Sequence, residues 1–172
     1  MTRTKNILLL LLGLPGFGCV LPLEPSFSDP SPNHPPFLVQ AKPALGSVVS
    51  VSNSATTMPL IELQLGDQDH SDVLYIRWLL DYPETTATEE STLLLETALP
   101  ASNNEIRPPI RFSPNCVDHH LANQSMHRLS LVVADRPFSS SEGLPPEKRW
   151  TTTDEPGFIL ESTWTIAATC NH

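Results

Sequence analysis

Three closely spaced aspartates in this sequence could bind a metal ion. Asp67, Asp69 and Asp72 all lie in the string GDQDHSD. Carboxylate oxygens at this spacing in a turn can share a Ca²⁺ ion, although an EF-hand loop would also need a glycine at its sixth position and a glutamate at its twelfth. Aspartates in turns also bond neighbouring backbone amides. We therefore favour a solvated turn and keep the three aspartates as candidate calcium ligands.

Three histidines form a second set of metal-binding side chains. His119, His120 and His127 lie close together in sequence, with Asp118 as the nearby acid. Zinc needs three or four converging ligands, whereas adjacent histidines point in different directions. The sequence also lacks the G-x-S-x-G turn of many hydrolases. We predict exposed loop histidines, no cofactor and no enzymatic activity. The alternative is a small accessory domain with Ca²⁺- or Zn²⁺-dependent hydrolytic activity.

Trp150 is the unusual residue of a charged loop, PPEKRWTTTDEPG. An aromatic ring in such a loop either packs back onto the domain or stays exposed as an anchor for a partner. Packing is the favoured interpretation, and Trp150 is kept as a candidate recognition residue.

The N-terminus has the three parts of an export signal, namely a basic start, an apolar run and small residues. Arg3 and Lys5 precede an apolar run of eight residues over 7–14, which Pro15 and Gly16 end. A helix of that length rises about 12 Å. The hydrocarbon layer of a bilayer is about 30 Å thick, so this run is too short to cross it.

Gly18 and Cys19 resemble the end of the lipobox in bacterial lipoprotein signals, although Gly16 and Phe17 differ from the usual leucine and small residue. The resemblance implies that residues 1–18 are a signal peptide and that Cys19 becomes the first mature residue. Cys19 would then carry diacylglycerol and an acyl chain such as palmitate, and several chains hold a protein durably on a membrane. In bacterial lipoproteins, a residue other than aspartate directly after the lipidated cysteine favours sorting to the outer membrane, so the resemblance together with Val20 implies that location. An ordinary cleaved signal peptide is the alternative.

Cys116 and Cys170 are the two other cysteines. An exported chain meets oxidising conditions, in which cysteines pair. The two lack the C-x-x-C spacing of redox thiols. We therefore predict a structural disulfide between them.

A proline-rich segment follows Cys19. Residues 22–43 contain seven of the 18 prolines, which favour an extended and solvated backbone. We predict that residues 19–43 form a lipid-anchored linker. The alternative is an irregular arm packed along the domain, to which Phe37, Leu38 and Val39 would belong.

The acidic charge argues against one class of partner. The formal net charge is −9, and residues 1–18 contain two bases and no acid, so a chain cut before Cys19 has a charge of about −11. Such a chain repels phosphate backbones, and nucleic acid is excluded as a partner.

Apolar and polar residues alternate in most runs beyond residue 44, which is typical of strands with one buried face. We predict strands over 48–52, 60–65, 73–82, 128–135 and 158–169, and two weaker ones near 92–98 and 105–112. A short helix starting at Thr88 is the alternative for the first weak strand. Prolines between these runs do not interrupt pairing.

Two strings carry a further resemblance. DQDHSDVLYIRW (67–78) is similar to the Asp-rich turn and next strand of bacterial immunoglobulin-like domains of the PKD and cadherin-like type. HRLSLVVAD (127–135) resembles their closing strand. The resemblance implies one all-β, immunoglobulin-like antiparallel β-sandwich of about seven strands, over residues 44–172.

These observations predict an outer-membrane lipoprotein that acts as a non-enzymatic binding or structural module on a proline-rich stalk. Its partners would be the membrane, through the lipid, and other envelope proteins. We expect recognition by an edge strand or by loops 83–91 and 136–157 at one end of the sandwich, because loops on a rigid scaffold commonly carry function.

Overall fold

A computed structural model describes residues 33–55, 58–83, 93–117, 121, 125–140, 144, 148 and 150–170. The predicted signal peptide, Cys19 and most of the predicted linker lie outside these ranges. The described residues form eight β-strands, which are β1 Phe37–Lys42, β2 Val48–Ser52, β3 Ile61–Gly66, β4 Leu74–Leu80, β5 Leu93–Leu99, β6 Ile110–Phe112, β7 Ser125–Ala134 and β8 Ile159–Thr169. The described ranges contain no helix long and apolar enough to cross a bilayer.

The strands form the two sheets of an immunoglobulin-like sandwich, and the predicted all-β fold is confirmed. One sheet has the order β1-β3-β6, and the other has the order β2-β8-β7-β4-β5. All named pairings are antiparallel except that of β2 with β8, which run parallel. This parallel pair departs from the wholly antiparallel arrangement expected from sequence.

All seven predicted strands are present, and β1 is additional. β1 pairs with β3 from Phe37 opposite Gly66 to Lys42 opposite Glu62, with an irregularity between Leu38 and Gln40. Residues 37–42 thus belong to the sandwich, and the predicted boundary between residues 43 and 44 is corrected. The ring of Phe37 crosses Gly66 so closely that a Cβ there would clash with it. A side chain at position 66 would therefore displace the Phe37 ring.

The main core lies between the two sheets. Leu74, Ile76, Trp78 and Leu80 alternate along β4 and are buried in it, as the apolar alternation predicts. The Trp78 ring stacks on Phe112 of the other sheet at 4.5 Å between centroids and approaches Trp164 at 5.8 Å. These three rings join β4, β6 and β8 across the sandwich.

The strand directions define two ends of the sandwich. The N-terminal pole contains the start of β1 and the turn 67–73, which joins β3 to β4. The disulfide pole contains the ends of β2, β4 and β8 and the starts of β5 and β7. Loop 83–91 connects strands at the disulfide pole, whereas loop 136–157 leaves β7 and enters β8 at the N-terminal pole. The expectation that these loops share one end is corrected, because β7 and β8 each run the full length of the sheet.

Candidate functional site

A serine, a histidine and an aspartate form a continuous hydrogen-bonded chain at the disulfide pole. Ser125 Oγ lies 2.5 Å from His127 Nε2, and His127 Nδ1 lies 2.6 Å from Asp81 Oδ2. Ser125 is partly exposed, and the His127 and Asp81 side chains are 12% and 28% exposed. We call these three residues the serine relay.

The strands position each member of the serine relay. Ser125 and His127 alternate on β7, opposite Ala168 and Ile166 of β8, and so share one face of the sheet. Asp81 follows the last residue of β4 and has φ of +52°, a left-handed conformation that aspartate tolerates better than most residues. This bend returns the Asp81 carboxylate to β7, where Oδ1 accepts the Arg128 N–H at 2.8 Å.

The hydrogen-bond roles within the relay follow from its chemistry. An ionised carboxylate only accepts, so His127 Nδ1 carries the proton that it shares with Asp81. In neutral His127, Nε2 is then the acceptor, and the Ser125 hydroxyl donates to it. This is the arrangement in which a histidine withdraws a proton from a serine nucleophile.

The prediction of an exposed loop histidine is wrong for His127, which lies in β7 with its side chain 12% exposed, and the serine relay was not predicted. The available signal was a Ser-x-His pair just ahead of the predicted strand 128–135. β7 begins three residues earlier than predicted, at Ser125, and residues two apart on one strand share a face. Asp81 lies 46 positions from His127, and no local motif links them. His119, His120 and Asp118 lie outside the described residues.

The three candidate calcium ligands of the turn at the N-terminal pole have separate protein partners. Asp67 Oδ1 accepts the Asp69 N–H at 2.8 Å, and Asp72 Oδ2 accepts from Arg136 Nη1 at 2.8 Å. Asp69 Oδ2 accepts the His34 N–H at 2.5 Å. No group of three or more acidic, histidine or cysteine side chains within the described ranges could hold a metal ion. The backbone amides bonded by Asp67 and Asp69 agree with the favoured turn, although Asp67 is buried and not solvated.

The guanidinium of Arg107 closes this turn from within. Arg107 is buried, and its Nη2 donates to the carbonyls of Asp69 and Asp72 at 3.1 Å each. Its backbone N–H donates to Leu65 O at 2.9 Å. Asp67 is also buried, and burial raises the pKa of its carboxyl. Its Oδ2 has no hydrogen-bond partner among the described residues.

Asp69→Asn is expected to lower the free energy of unfolding at neutral pH by about 1–2 kcal/mol, because a neutral acceptor replaces a charged one and neutral hydrogen bonds contribute less. The backbone N–H of His34 is the main cause that lowers the pKa of Asp69 below 3.8. A lowered pKa stabilises the fold above the ordinary value and stops doing so as the pH falls through the folded pKa.

Urea unfolding of both proteins across the acidic range measures this effect. The difference should be full at neutral pH and close as the pH falls below 3.8 and through the lowered pKa of Asp69. The same change at the exposed Asp154 is the control and should leave stability within about 0.5 kcal/mol. A difference that persists in acid would contradict the assigned charge effect.

Trp150 packs onto the outer face of the five-stranded sheet. It is 8% exposed and joins a second cluster of buried residues that comprises Leu79, Tyr82, Val132, Ala134 and Phe138. The favoured prediction of packing agrees with this position. The alternative of an exposed recognition anchor is corrected, because the Trp150 ring is buried against Leu79 and Val132 of the sheet.

Arg77 holds this loop in place. Its guanidinium carbon lies 4.2 Å from the Phe138 ring centroid and 5.5 Å from that of Trp150. Its Nε donates to Glu96 Oε2 of β5 at 2.8 Å, and its Nη1 contacts Trp150 O at 3.4 Å. Because the cation lies between two aromatic faces and one carboxylate, its charge is compensated although the side chain is buried.

The predicted Cys116–Cys170 disulfide is present, with a Cα–Cα distance of 5.5 Å. It links the segment after β6 to the end of β8. A pocket of about 280 Å³ lies beside it, lined by Val51, Met58, Pro59, Cys116 and Val117 among others. Met58 and Val117 are largely exposed, so the disulfide pole presents an apolar surface next to this pocket.

Comparison with known proteins shows likeness in fold alone. No family model and no curated protein matches the chain. Among solved structures, it is similar to the CARDB domain of a Pyrococcus furiosus protein in complex with di-metal ions, at 13% identity, over 79% of this chain and 96% of that one, with a TM-score of 0.40. It is also similar to AggA, the major subunit of aggregative adherence fimbriae type I of Escherichia coli, at 11% identity, over 81% and 97%, with a TM-score of 0.32.

A third similar structure is fusolin from spindles of a Wiseana entomopoxvirus, at 12% identity and a TM-score of 0.36. The match covers 74% of this chain and 42% of fusolin, so this chain corresponds to less than half of that protein. The assignment to the immunoglobulin-like class is drawn from the order and pairing of the two sheets described above.

Proposed function

We propose that this protein is a cell-envelope lipoprotein whose sandwich acts as a non-enzymatic binding or structural module. The observation that carries the proposal is the Cys116–Cys170 disulfide. Disulfides persist in oxidising compartments outside the cytosol, so the bond supports export. It also accounts for two of the three cysteines and leaves Cys19 for another use.

In this proposal, Cys19 carries the lipid, including an acyl chain such as palmitate, in the outer membrane. The proline-rich segment ahead of Asn33 separates the lipid from the sandwich. That segment joins the sandwich at the N-terminal pole, where the Asn33 side-chain amide donates to Asp135 Oδ2 at 2.7 Å. The contact supports a fixed attachment point at this pole.

We place the binding surface at the disulfide pole, opposite the attachment point. This pole has the apolar pocket and the exposed side chains of Met58 and Val117. Exposed apolar side chains around a pocket are typical of sites that contact other proteins. Other envelope proteins are the proposed partners, and the net charge of −9 disfavours nucleic acid.

Intact-mass measurement of the membrane-extracted protein tests the anchor. The expected mass is that of a chain starting at Cys19, with diacylglycerol and one further acyl chain and with two fewer hydrogens for the disulfide. Cys19→Ser should abolish the lipid and release the protein from membranes. A mature chain without lipid, or one that retains Met1, would overturn the anchor.

Cross-linking in intact cells tests the binding surface separately. Val117→Asp is expected to remove partner cross-links, because it introduces a charge at the rim of the pocket. Val48→Asp is the matched control on the edge strand β2; the two valines are 73% and 58% exposed. Equal loss in both variants, or none in either, would contradict the proposed surface.

A further inference from the structure

We propose that Ser125 is an activated nucleophile that accepts an acyl group from activated carboxylic esters. The observation behind this inference is the serine relay, whose three members are joined by contacts of 2.5 Å and 2.6 Å. The inference goes beyond the proposed function, since it adds a reactive hydroxyl to a binding module. One acylation per molecule requires no turnover, so the module would capture an acyl donor covalently.

Each member of the relay has a distinct part in this reaction. His127 Nε2 accepts the Ser125 proton, so His127 is the general base. Asp81 is a positioning residue, because its Oδ2 keeps the His127 proton on Nδ1 and leaves Nε2 free to accept. The Arg128 N–H on Oδ1, at 2.8 Å, fixes the carboxylate in turn. The Asp81 N–H also donates to Arg128 O at 2.7 Å, so paired backbone bonds hold Asp81 against β7.

The proposed step is an acyl transfer. Ser125 Oγ attacks the ester carbonyl carbon and forms a new C–O bond, while the hydroxyl proton moves to His127 Nε2. The bond between the carbonyl carbon and the leaving oxygen breaks, and the leaving group takes the proton from His127. The products are acyl-Ser125 and the free alcohol, with His127 neutral again. The donor needs a good leaving group, such as a phenol.

The location of the relay is compatible with access by a small ester. Ser125 begins β7, at the disulfide pole, and is partly exposed. Ala168 and Ile166 are the buried cross-strand neighbours of Ser125 and His127 on the same face, so the relay borders the apolar core. Apolar neighbours lower the local dielectric and strengthen hydrogen bonds within the relay.

Incubating the full chain with p-nitrophenyl acetate tests the proposal. We expect one acetyl group per chain on Ser125, located by peptide mass mapping, with release of an equal amount of p-nitrophenol, which loses its proton to the buffer and is measured as the coloured anion. The rate should exceed that at Ser47 by about 100-fold or more, the usual effect of a positioned general base. Ser47 is the internal control because its hydroxyl donates to a backbone carbonyl, Ala44 O, which cannot serve as a general base.

Variants separate the relay from general reactivity. Ser125→Ala should remove the acetylation, and His127→Gln should slow it by about 100-fold. Ser47→Ala should change neither the extent nor the rate of acetylation at Ser125. Asp81→Asn should lower the maximal rate by a similar factor and leave the ester concentration at half-maximal rate unchanged, with circular dichroism confirming folding. Acetylation of Ser125 no faster than of Ser47 would overturn the proposal. If a variant does not fold, the comparison of the acetylation rates of Ser125 and Ser47 within the parent protein decides the outcome alone.

Discussion

Replacing both Cys116 and Cys170 by serine is expected to lower the free energy of unfolding by about 4 kcal/mol. The bond closes a loop with a sequence separation of 54 residues. On the chain-entropy model, a cross-link over such a loop restricts the unfolded chain by about this amount. A change of this size is a large fraction of the 5–15 kcal/mol that stabilises most proteins, so the variant should unfold at a much lower urea concentration.

Equilibrium urea unfolding of the parent and the double-serine variant measures the difference. Cys19→Ser is the matched control, because it removes a cysteine that is outside the disulfide, and it should leave the midpoint unchanged. The parent protein in strong reductant should approach the variant. A difference below about 1 kcal/mol would mean that the bond contributes little beyond the packing around it.

The strands could be predicted because alternation is a local property. Along β4, the apolar residues Leu74, Ile76 and Trp78 lie at every second position, and this pattern predicts a strand that turns an apolar face to the core. Their burial in the main core follows directly. The Cys116–Cys170 pair could be predicted because the export that the N-terminus predicts leaves few alternatives for two cysteines.

β1 and the parallel pairing of β2 with β8 could not be predicted in the same way. β1 has β3 as its pairing partner and an irregular register, so its residues do not alternate cleanly between buried and exposed. Val48 of β2 pairs with Thr165, far along the chain. Such a pairing depends on the whole sheet assembling, and no short stretch of sequence encodes it.

The serine relay and the contacts that Arg77 makes with Phe138 and Trp150 could not be predicted, for a related reason. In both, residues from distant parts of the chain satisfy one another: Asp81 bonds His127, and Arg77 contacts Phe138 and Trp150. Strand alternation places Arg77 on the face of β4 opposite the main core, but it does not show that Phe138 and Trp150 cover the guanidinium there.

Arg77→Ala is expected to lower the free energy of unfolding by about 2–3 kcal/mol and to loosen loop 136–157 from the sheet. The change removes two cation–π contacts in a buried site. It also removes the hydrogen bond to Trp150 O and leaves the aromatic rings around a cavity. Tyr75 and Leu79, on the outer face of β4, would become more exposed if the loop moves away.

Urea unfolding and limited trypsin digestion together measure these two effects. The loop contains the exposed Lys148, and cleavage there should be faster in Arg77→Ala than in the parent, because the loop backbone must leave the sheet to enter a protease. Glu96→Gln is the matched control. It removes only an ion pair whose carboxylate is 45% exposed, and such a pair contributes about 0–1 kcal/mol. Cleavage at Lys148 at the parent rate in Arg77→Ala would show that the aromatic rings hold the loop without the cation between them.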